Sequence, residues 1–243
     1  MNISYKIFSS PVELAEAFAH DLVNLINEAE NKQSPVKVAL SGGNTPKLLF
    51  SVLADKYAKS VNWSFIHFFW GDERCVPPDD PESNYGMTGT LLLNKIIIPK
   101  NNIHRIRGED DPDKEALRYS EEIKNNTRSR NELPLFDLII LGLGDDGHTA
   151  SIFPGNIELL ESGRICEVAV HPASGQKRVT ITGKVINNAD SITFLVTGST
   201  KAHIVEDIFK ERKTAACLPA FHINPAPGKV VWLLDKNAGE FVH

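Results

Sequence analysis

The sequence predicts an α/β fold, with a doubly wound, mostly parallel sheet and helices on both faces in three layers. Two observations support this prediction. Short runs that are almost entirely apolar alternate with longer segments in which apolar residues recur about every four positions. Strands without a polar face are typical of parallel sheets that helices cover on both sides. With 243 residues the chain is long enough for one such domain, and we expect residues 1–243 to form it.

Six apolar runs are predicted to be strands of this sheet, because turn-forming residues separate them from helix-like segments. The run at 138–141 is the clearest, since it consists of four aliphatic residues. A further short strand is predicted to begin at Lys177. The six runs are Tyr5–Phe8, Val36–Leu40, Ile66–Trp70, Leu138–Leu141, Ser191–Val196 and Val230–Leu234.

Capping residues followed by proline mark several helix starts. Ser10 and Glu13 have the spacing of a capping box, with Pro11 in the first turn. Apolar residues then recur at positions 14, 18, 22 and 26, which predicts one buried helix face. The same cap-then-proline start is predicted at Thr45-Pro46 and Asp111-Pro112, and further helices are expected near Ser83 and from about Thr200 to Phe209.

Composition excludes several classes of function. The chain has 26 basic and 31 acidic residues and a net charge of −5, which disfavours nucleic acid and anionic membranes as partners. Its apolar runs are shorter than a membrane-spanning helix requires. The N-terminus lacks the pattern of a signal peptide. The three cysteines, Cys75, Cys166 and Cys217, lack zinc or redox spacing, so we expect reduced thiols, no metal and a cytoplasmic protein.

Three loops are the predicted ligand-binding region. In parallel sheets ligands bind beyond the carboxyl ends of the strands, near a switch in strand order. The segments that follow the second, third and fourth predicted strands are 41–46, 71–84 and 142–154, and all three are rich in glycine and polar residues. A sequence selected for stability alone would not need glycine and polar residues in all three places.

The first loop has the properties of a phosphate site. Gly42 and Gly43 allow a sharp turn and a close approach to a ligand, and the helix that follows directs free N–H groups at the loop. The Walker A spacing is absent. A plain tight turn explains the same residues equally well. The candidate phosphate ligands are Ser41, Gly42, Gly43, Asn44 and Thr45.

The second loop places charged residues directly after a buried strand. Asp72, Glu73 and Arg74 are costly to enclose unless they are paired or functional. Arg74 is a candidate to bind an anion or a developing oxyanion, and Asp72 is a candidate acceptor for a sugar hydroxyl. An ion-paired surface turn is the alternative interpretation of these residues.

The third loop contains a G-x-G-x-x-G pattern, which raises the possibility of dinucleotide binding. Asp145 and Asp146 oppose it, because they would repel a pyrophosphate. His148 is the stronger signal, since an imidazole suits proton transfer at neutral pH and Asp146 is placed to orient it. Gly147 belongs to the same candidate site, whereas Ser151 lacks the surroundings of a nucleophile elbow.

Two later segments add cations. Arg178 lies in the short strand that begins at Lys177, and Lys201 lies at the start of the last predicted helix. A lysine in a first helical turn is disfavoured by the helix dipole, so it indicates an anion nearby. A solvated lysine is the plainer alternative.

Taken together these segments resemble the 6-phosphogluconolactonases. The motifs are SGGNTP, FFWGDERCVPPDDPESNYG, LGLGDDGHTASIFPG, KRVTIT, VTGSTKA and a closing LPA…VVWLLD, in the family's order and over nearly the whole chain. The resemblance implies a fold related to glucosamine-6-phosphate deaminase and ribose-5-phosphate isomerase. It also implies hydrolysis of 6-phospho-D-glucono-1,5-lactone, the second step of the oxidative pentose phosphate pathway, without metal or cofactor. We expect a monomer or a weak dimer.

The resemblance also assigns roles to residues. His148 corresponds to the family's catalytic histidine and SGGNTP to its phosphate loop. Arg74, Arg178 and Lys201 match basic positions that contact the substrate phosphate or its surroundings, without a division of roles among the three. The stretch 173–176 departs from the family's more usual run of lysine and proline before the arginine.

Two alternatives remain. The deaminases resemble this chain at SGGxTP and DGH, but their pattern continues to a glutamate that assists ring opening, where this chain has Phe153. Arg74 also stands where the deaminases have tyrosine. The other alternative is a non-catalytic sugar-phosphate sensor on the same fold, although this chain lacks the additional DNA-binding segment of such regulators.

Overall fold

The computed structural model describes residues 4–242, in which strands and helices alternate along the chain. The strands are β1 Ser4–Phe8, β2 Val36–Leu40, β3 Ile66–Trp70, β4 Asp72–Arg74, β5 Ile103–His104, β6 Arg128–Arg130, β7 Leu133–Leu135, β8 Leu138–Leu141, β9 Cys166–Val170, β10 Lys177–Ile181, β11 Ser191–Val196 and β12 Lys229–Asp235. The helices are α1 Pro11–Asn31, α2 Asn44–Tyr57, α3 Asn84–Leu91, α4 Pro112–Asn126, α5 Gly183–Ile186 and α6 Ala202–Phe209.

Seven strands form the central sheet, in the order β1-β12-β11-β8-β2-β3-β5, and all neighbouring pairs among them are parallel. The chain moves from β2 outward to β3 and β5. It then returns to β8, on the other side of β2, and continues outward through β11 and β12. The switch in strand order therefore lies between β2 and β8. The predicted doubly wound, mostly parallel sheet is confirmed.

Helices cover both faces of this sheet. Val231 and Leu233 of β12 line one groove together with Phe18 of α1. The intervening residue, Trp232, packs against Phe209 of α6 with ring centroids 5.4 Å apart. Since successive strand residues point to opposite faces, α1 and α6 lie on opposite sides of the sheet. The predicted three-layer arrangement is therefore confirmed. No helix within residues 4–242 has the length and apolarity to span a bilayer.

The start of α1 follows the predicted pattern only in part. Ser10 accepts a hydrogen bond from the Glu13 N–H at 3.2 Å, as an N-cap does. The Glu13 carboxylate, however, accepts from both the N–H and the hydroxyl of Ser9. The reciprocal half of the predicted capping box is wrong, because Ser9 offers two donors to the same carboxylate. The predicted apolar face at 14, 18, 22 and 26 is buried.

The predicted cap at Thr45 is wrong. Helix α2 begins at Asn44, after Gly43 with φ +105° in the region that favours glycine, and no side chain caps its first turn. Thr45 lies within that turn and shares a 2.8 Å hydrogen bond with the Thr197 hydroxyl. The caps at the other two helices follow prediction: Ser83 accepts from the Gly86 N–H at 3.0 Å and Asp111 from the Lys114 N–H at 3.1 Å.

A second, antiparallel sheet of three strands, β4-β10-β9, stands at the end of β3. The strand predicted to begin at Lys177 is β10, whereas β4 and β9 were not predicted. The register of β10 on β4 pairs Arg178 with Arg74 and Thr180 with Asp72. This small sheet therefore carries charged residues to the carboxyl edge of the central sheet.

Candidate active site

A cleft opens at the carboxyl edge of the sheet, where the loops after β2 and β8 meet at the switch in strand order. Its volume is about 160 Å³. The cleft brings together residues from all three predicted loops and from β10. The lining residues are Ser41, Gly42, Gly43, Asp72, Arg74, Asn84, Gly142, Leu143, Gly144, His148, Ala150 and Arg178.

Asp146 holds His148 at the cleft. The Asp146 Oδ1 lies 2.6 Å from Nδ1 of the imidazole and also accepts the His148 backbone N–H at 3.1 Å. Because a carboxylate accepts, Nδ1 carries a proton, and in the neutral ring Nε2 keeps its lone pair. Within residues 4–242, Nε2 has no hydrogen-bond partner. Burial raises the pKa of the Asp146 carboxyl, but the hydrogen bonds and charge of His148 outweigh burial, so this pKa lies below its ordinary value.

Two glycines shape the loop that carries His148. A Cβ added at Gly144 would lie 2.0 Å from Nδ1 of the imidazole, so only glycine leaves room for the ring. The Gly144 N–H also donates to the His148 carbonyl at 2.9 Å. Gly147 has φ +80° and abuts the Leu218 side chain. Gly147 is outside the cleft lining, so its observed role is to turn the chain.

Arg74 and Arg178 form a pair of cations on one wall. They face each other across the β4–β10 ladder. Arg74 Nη1 donates to the Glu82 carbonyl, and Arg178 Nη1 lies 3.9 Å from the Asp72 carboxylate. The Nε atoms of both arginines are buried without a hydrogen-bond partner among the described residues. Buried donors normally find an acceptor, so this wall is suited to an anionic or strongly polar ligand.

Asp72 lies at the base of this wall, with only 5% of its surface exposed. Its Oδ2 accepts a 2.6 Å hydrogen bond from the Ser151 hydroxyl. This bond fixes the carboxylate beside Arg178. It also engages the fully buried Ser151, which agrees with the absence of a nucleophile elbow around that serine.

Glu73 is buried behind the same wall and fixes its backbone by hydrogen bonds. Its carboxylate accepts hydrogen bonds from the N–H groups of Arg74, Asn84 and Tyr85 at 2.7–2.8 Å and from the Ser83 hydroxyl at 3.1 Å. These donors include the free N–H groups at the start of α3. Burial raises the pKa of Glu73 despite these hydrogen bonds. The sequence signal was a carboxylate next to a buried strand, but its partners other than Arg74 lie 10 to 12 residues away.

Asn84 is a cleft residue that the sequence analysis missed. Its Nδ2 donates to the Asp72 carbonyl at 2.9 Å. A Cβ added at Gly42 would lie 1.8 Å from Asn84 Oδ1, so the amide occupies the space that any larger residue at 42 would need. Gly42 therefore meets a close packing requirement in addition to any contact with a ligand.

Only part of the predicted phosphate loop lines the cleft. Ser41, Gly42 and Gly43 line the cleft, whereas Asn44 is exposed beside it and Thr45 is buried against Thr197. The uncapped first turn of α2 leaves N–H groups and a partial positive charge at this end of the cleft.

Lys201 lies next to the cleft lining and not within it. Its Nζ is 2.6 Å from the Asp145 carboxylate, and this hydrogen bond lowers the pKa of Asp145. The Thr45–Thr197 hydrogen bond joins the segment before Lys201 to the first turn of α2. The lysine therefore lies close to the predicted phosphate loop, with its charge already paired.

Comparisons with known proteins identify the family. The family described as glucosamine-6-phosphate isomerases/6-phosphogluconolactonase matches residues 9–232. The 6-phosphogluconolactonase of Haemophilus influenzae is 47% identical over 205 residues, which cover 84% of this chain and 86% of that protein. The crystal structure of the devB protein has a TM-score of 0.92 at 43% identity and covers 99% of this chain and 100% of that chain.

A second solved structure gives the same result. The crystal structure of 6-phosphogluconolactonase from Leishmania guyanensis has a TM-score of 0.89 at 28% identity and covers 100% of both chains. The chain therefore belongs to the family of glucosamine-6-phosphate isomerases and 6-phosphogluconolactonases and, within it, to the lactonases, which confirms the enzyme class that the motifs predict.

Proposed function

We propose that the chain hydrolyses 6-phospho-D-glucono-1,5-lactone to 6-phospho-D-gluconate, with His148 as the general base. One observation carries the proposal: an imidazole with a free Nε2 shares a single cleft with a di-glycine turn and with two arginines whose Nε atoms are buried without a partner among the described residues. A base, a cationic wall and an anion-binding helix start are the groups that hydrolysis of a sugar-phosphate lactone requires.

His148 acts on water. Nε2 takes a proton as the water oxygen attacks the C1 carbonyl, and Asp146 stabilises the imidazolium that forms. Arg74 stabilises the oxyanion on C1. When the tetrahedral intermediate collapses, the C1–O5 bond breaks and the imidazolium returns its proton to O5. General base catalysis contributes about 10²–10⁴-fold, and an oxyanion donor about 10²–10³-fold.

The substrate phosphate binds at the opposite end of the cleft. The Gly42–Gly43 turn and the first turn of α2 direct N–H groups toward it, and Lys201 exchanges its contact with Asp145 for the phosphate. Asp72, next to Arg178, accepts a sugar hydroxyl. The phosphate thus supplies binding energy remote from C1 and aligns the carbonyl with His148. Water is the only co-substrate, so the reaction needs no cofactor.

Phe153 favours a lactonase over a deaminase. Its ring is fully buried and lies 4.8 Å from the His148 ring, between centroids. The resemblance places the proton-transferring glutamate of the deaminases at this position. A phenyl ring transfers no proton and gives His148 an apolar neighbour.

A coupled assay tests the proposal. Glucose-6-phosphate dehydrogenase generates the lactone, and formation of 6-phosphogluconate is followed above spontaneous hydrolysis. We expect the purified chain to accelerate this step and to release no ammonia from glucosamine 6-phosphate. Ammonia release without lactone hydrolysis would establish the deaminase instead.

The cellular context is also a proposal. We expect a cytoplasmic enzyme that is a monomer or a weak dimer and binds no nucleic acid. Sedimentation velocity over a concentration series checks the oligomeric state, and a stable higher oligomer would contradict it.

A further inference from the structure

A second histidine lies beside the cleft and takes no part in the mechanism above. His171 begins the hairpin that joins β9 to β10. Two hydrogen bonds of 2.9 Å close this hairpin, from the His171 N–H to the Gln176 carbonyl and from the Gly175 N–H to the His171 carbonyl. Gln176 Nε2 also donates to the Glu82 carboxylate at 2.9 Å. The hairpin is therefore tied to the segment whose carbonyl binds Arg74.

The His171 ring packs on the same aromatic residue as the general base. Its centroid lies 5.2 Å from that of Phe153, edge to face, and His148 contacts the same phenyl ring at 4.8 Å. Arg178 lies 5.6 Å from the centre of this ring. The two imidazoles are therefore no more than about 10 Å apart, on one buried support.

The hydrogen bonds of the hairpin set the tautomer of His171. Its Nδ1 lies 3.2 Å from the Ser174 N–H and 3.1 Å from the Ser174 hydroxyl. A backbone N–H only donates, so Nδ1 is the acceptor and the ring proton is on Nε2. Among residues 4–242, no acceptor is recorded for Nε2. The ring thus keeps one free N–H donor.

The surroundings of His171 favour its neutral form. Burial lowers its pKa, and the charges of Arg178, His148 and Arg74 add to this effect, while Asp146 opposes it. A neutral imidazole is a hydrogen-bond donor without charge. Such a donor suits a hydroxyl oxygen, since the anionic groups of the substrate are bound by arginine, lysine and the helix start.

We propose that His171 is a specificity-determining residue, which donates a hydrogen bond from Nε2 to one hydroxyl oxygen of the sugar lactone. This inference rests on the proposed lactonase function. A site that hydrogen-bonds a hydroxyl discriminates against the analogue that lacks it, because the bound analogue shields the donor from water and leaves it without a partner. His171 lies at the base of the hairpin whose tip, 173–176, departs from the pattern that the resemblance supplies.

The experiment combines variants of the enzyme with variants of the substrate. His171→Phe removes the donor, and His171→Gln keeps a side-chain N–H in a similar place. His20→Phe, on the exposed surface of α1, is the matched control. For each protein kcat and KM are measured with the 6-phosphogluconolactone and with analogues that each lack one hydroxyl. Thermal unfolding shows whether each variant is folded.

We expect His171→Phe to lower kcat/KM for the full substrate about 3- to 10-fold, mainly through KM, as for one neutral hydrogen bond. His171→Gln should recover part of this loss. With one of the deoxy analogues, the Phe variant and the unaltered protein should have equal kcat/KM. The pH dependence of kcat should not change, since His148 is intact.

Two results would overturn the inference. One is an unchanged kcat/KM in His171→Phe, and the other is an equal loss with every analogue, which would show a structural role. If His171→Phe does not fold, His171→Ala allows the same comparison. Failure of the proposed function is distinguishable, because the unaltered protein would then lack lactonase activity on the full substrate.

Discussion

Two carboxylate–imidazole pairs in this protein share one geometry in different surroundings. The Asp146 carboxylate lies 2.6 Å from Nδ1 of His148, and the Glu122 carboxylate lies 2.6 Å from Nδ1 of His104. The first pair is at the carboxyl edge of the sheet. The second joins α4 to the edge strand β5.

The second ring nitrogen distinguishes the two pairs. In His148 it has no partner within residues 4–242 and the ring borders the cleft. In His104 it lies 2.9 Å from Nδ1 of His67, and the ring is buried and stacked on Phe69. A carboxylate at hydrogen-bond distance therefore orients an imidazole in both places. Access of the other nitrogen to a ligand makes only His148 a candidate base.

The largest expected effect separates the two histidines by activity. His148→Ala should lower kcat about 10²–10⁴-fold, because the proposed general base is lost. His104→Ala should keep kcat within a few fold and destabilise the fold by roughly 2–4 kcal/mol, since it removes a buried ring and two hydrogen bonds. Steady-state kinetics and urea unfolding measure the two effects. Equal loss of activity in both variants would remove the distinction.

The second largest effect is expected when the carboxylate of each pair is replaced by an amide. Asp146→Asn should lower kcat roughly 10- to 100-fold, because an amide no longer favours the tautomer with a free Nε2 and stabilises the imidazolium less. Asp146 is partly exposed, so the loss should be smaller than at a buried triad. Glu122→Gln is the matched change at the other pair and should leave kcat unaltered. A drop in kcat with Glu122→Gln would contradict a purely structural pair.

A third prediction concerns KM and compares the lysine near each carboxylate–imidazole pair. Lys201→Ala should raise KM for the phosphorylated lactone about 10-fold, as a charge-assisted hydrogen bond to phosphate is lost, with little change in kcat. Hydrolysis of the unphosphorylated lactone should be unaffected. Lys37→Ala, near His67, is the control and should leave both constants unchanged. A Lys201 effect confined to kcat would argue against a phosphate ligand.

The smallest expected effect is a pH dependence of stability. Burial, Lys37 and His104 lower the pKa of His67 to about 4. The unfolded chain binds this proton near the ordinary value of about 6.5, so between these values the unfolded state holds more protons. Stability should therefore fall as the pH decreases from about 6.5 toward 4.

The test compares urea midpoints at several pH values. The unaltered protein should lose more stability on acidification than His67→Gln, which keeps a polar group and cannot titrate. Activity at neutral pH should be equal in the two proteins. Identical pH slopes would show that His67 does not contribute.

Much of the fold was predictable because it depends on neighbours in sequence. The strand bounds at 36–40, 66–70, 138–141 and 191–196 agree with the observed bounds, since continuous apolar runs are themselves the signal. The caps at Ser83 and Asp111 depend on hydrogen bonds across three residues. The prediction was wrong at Thr45, because Gly43 precedes the helix and no side chain caps its first turn.

Some contacts of the candidate site were likewise predictable from the sequence, and others were not. Asp146 and His148 are two residues apart, so the sequence by itself determined their contact, and it determined that three polar loops follow neighbouring strands. Only the tertiary structure decided that Arg74 meets Arg178, that Asn84 packs against Gly42 and that Asp145 holds Lys201. Each of these contacts closes a long loop of chain. Its register follows from strand pairing and packing of the whole domain, which local patterns do not encode.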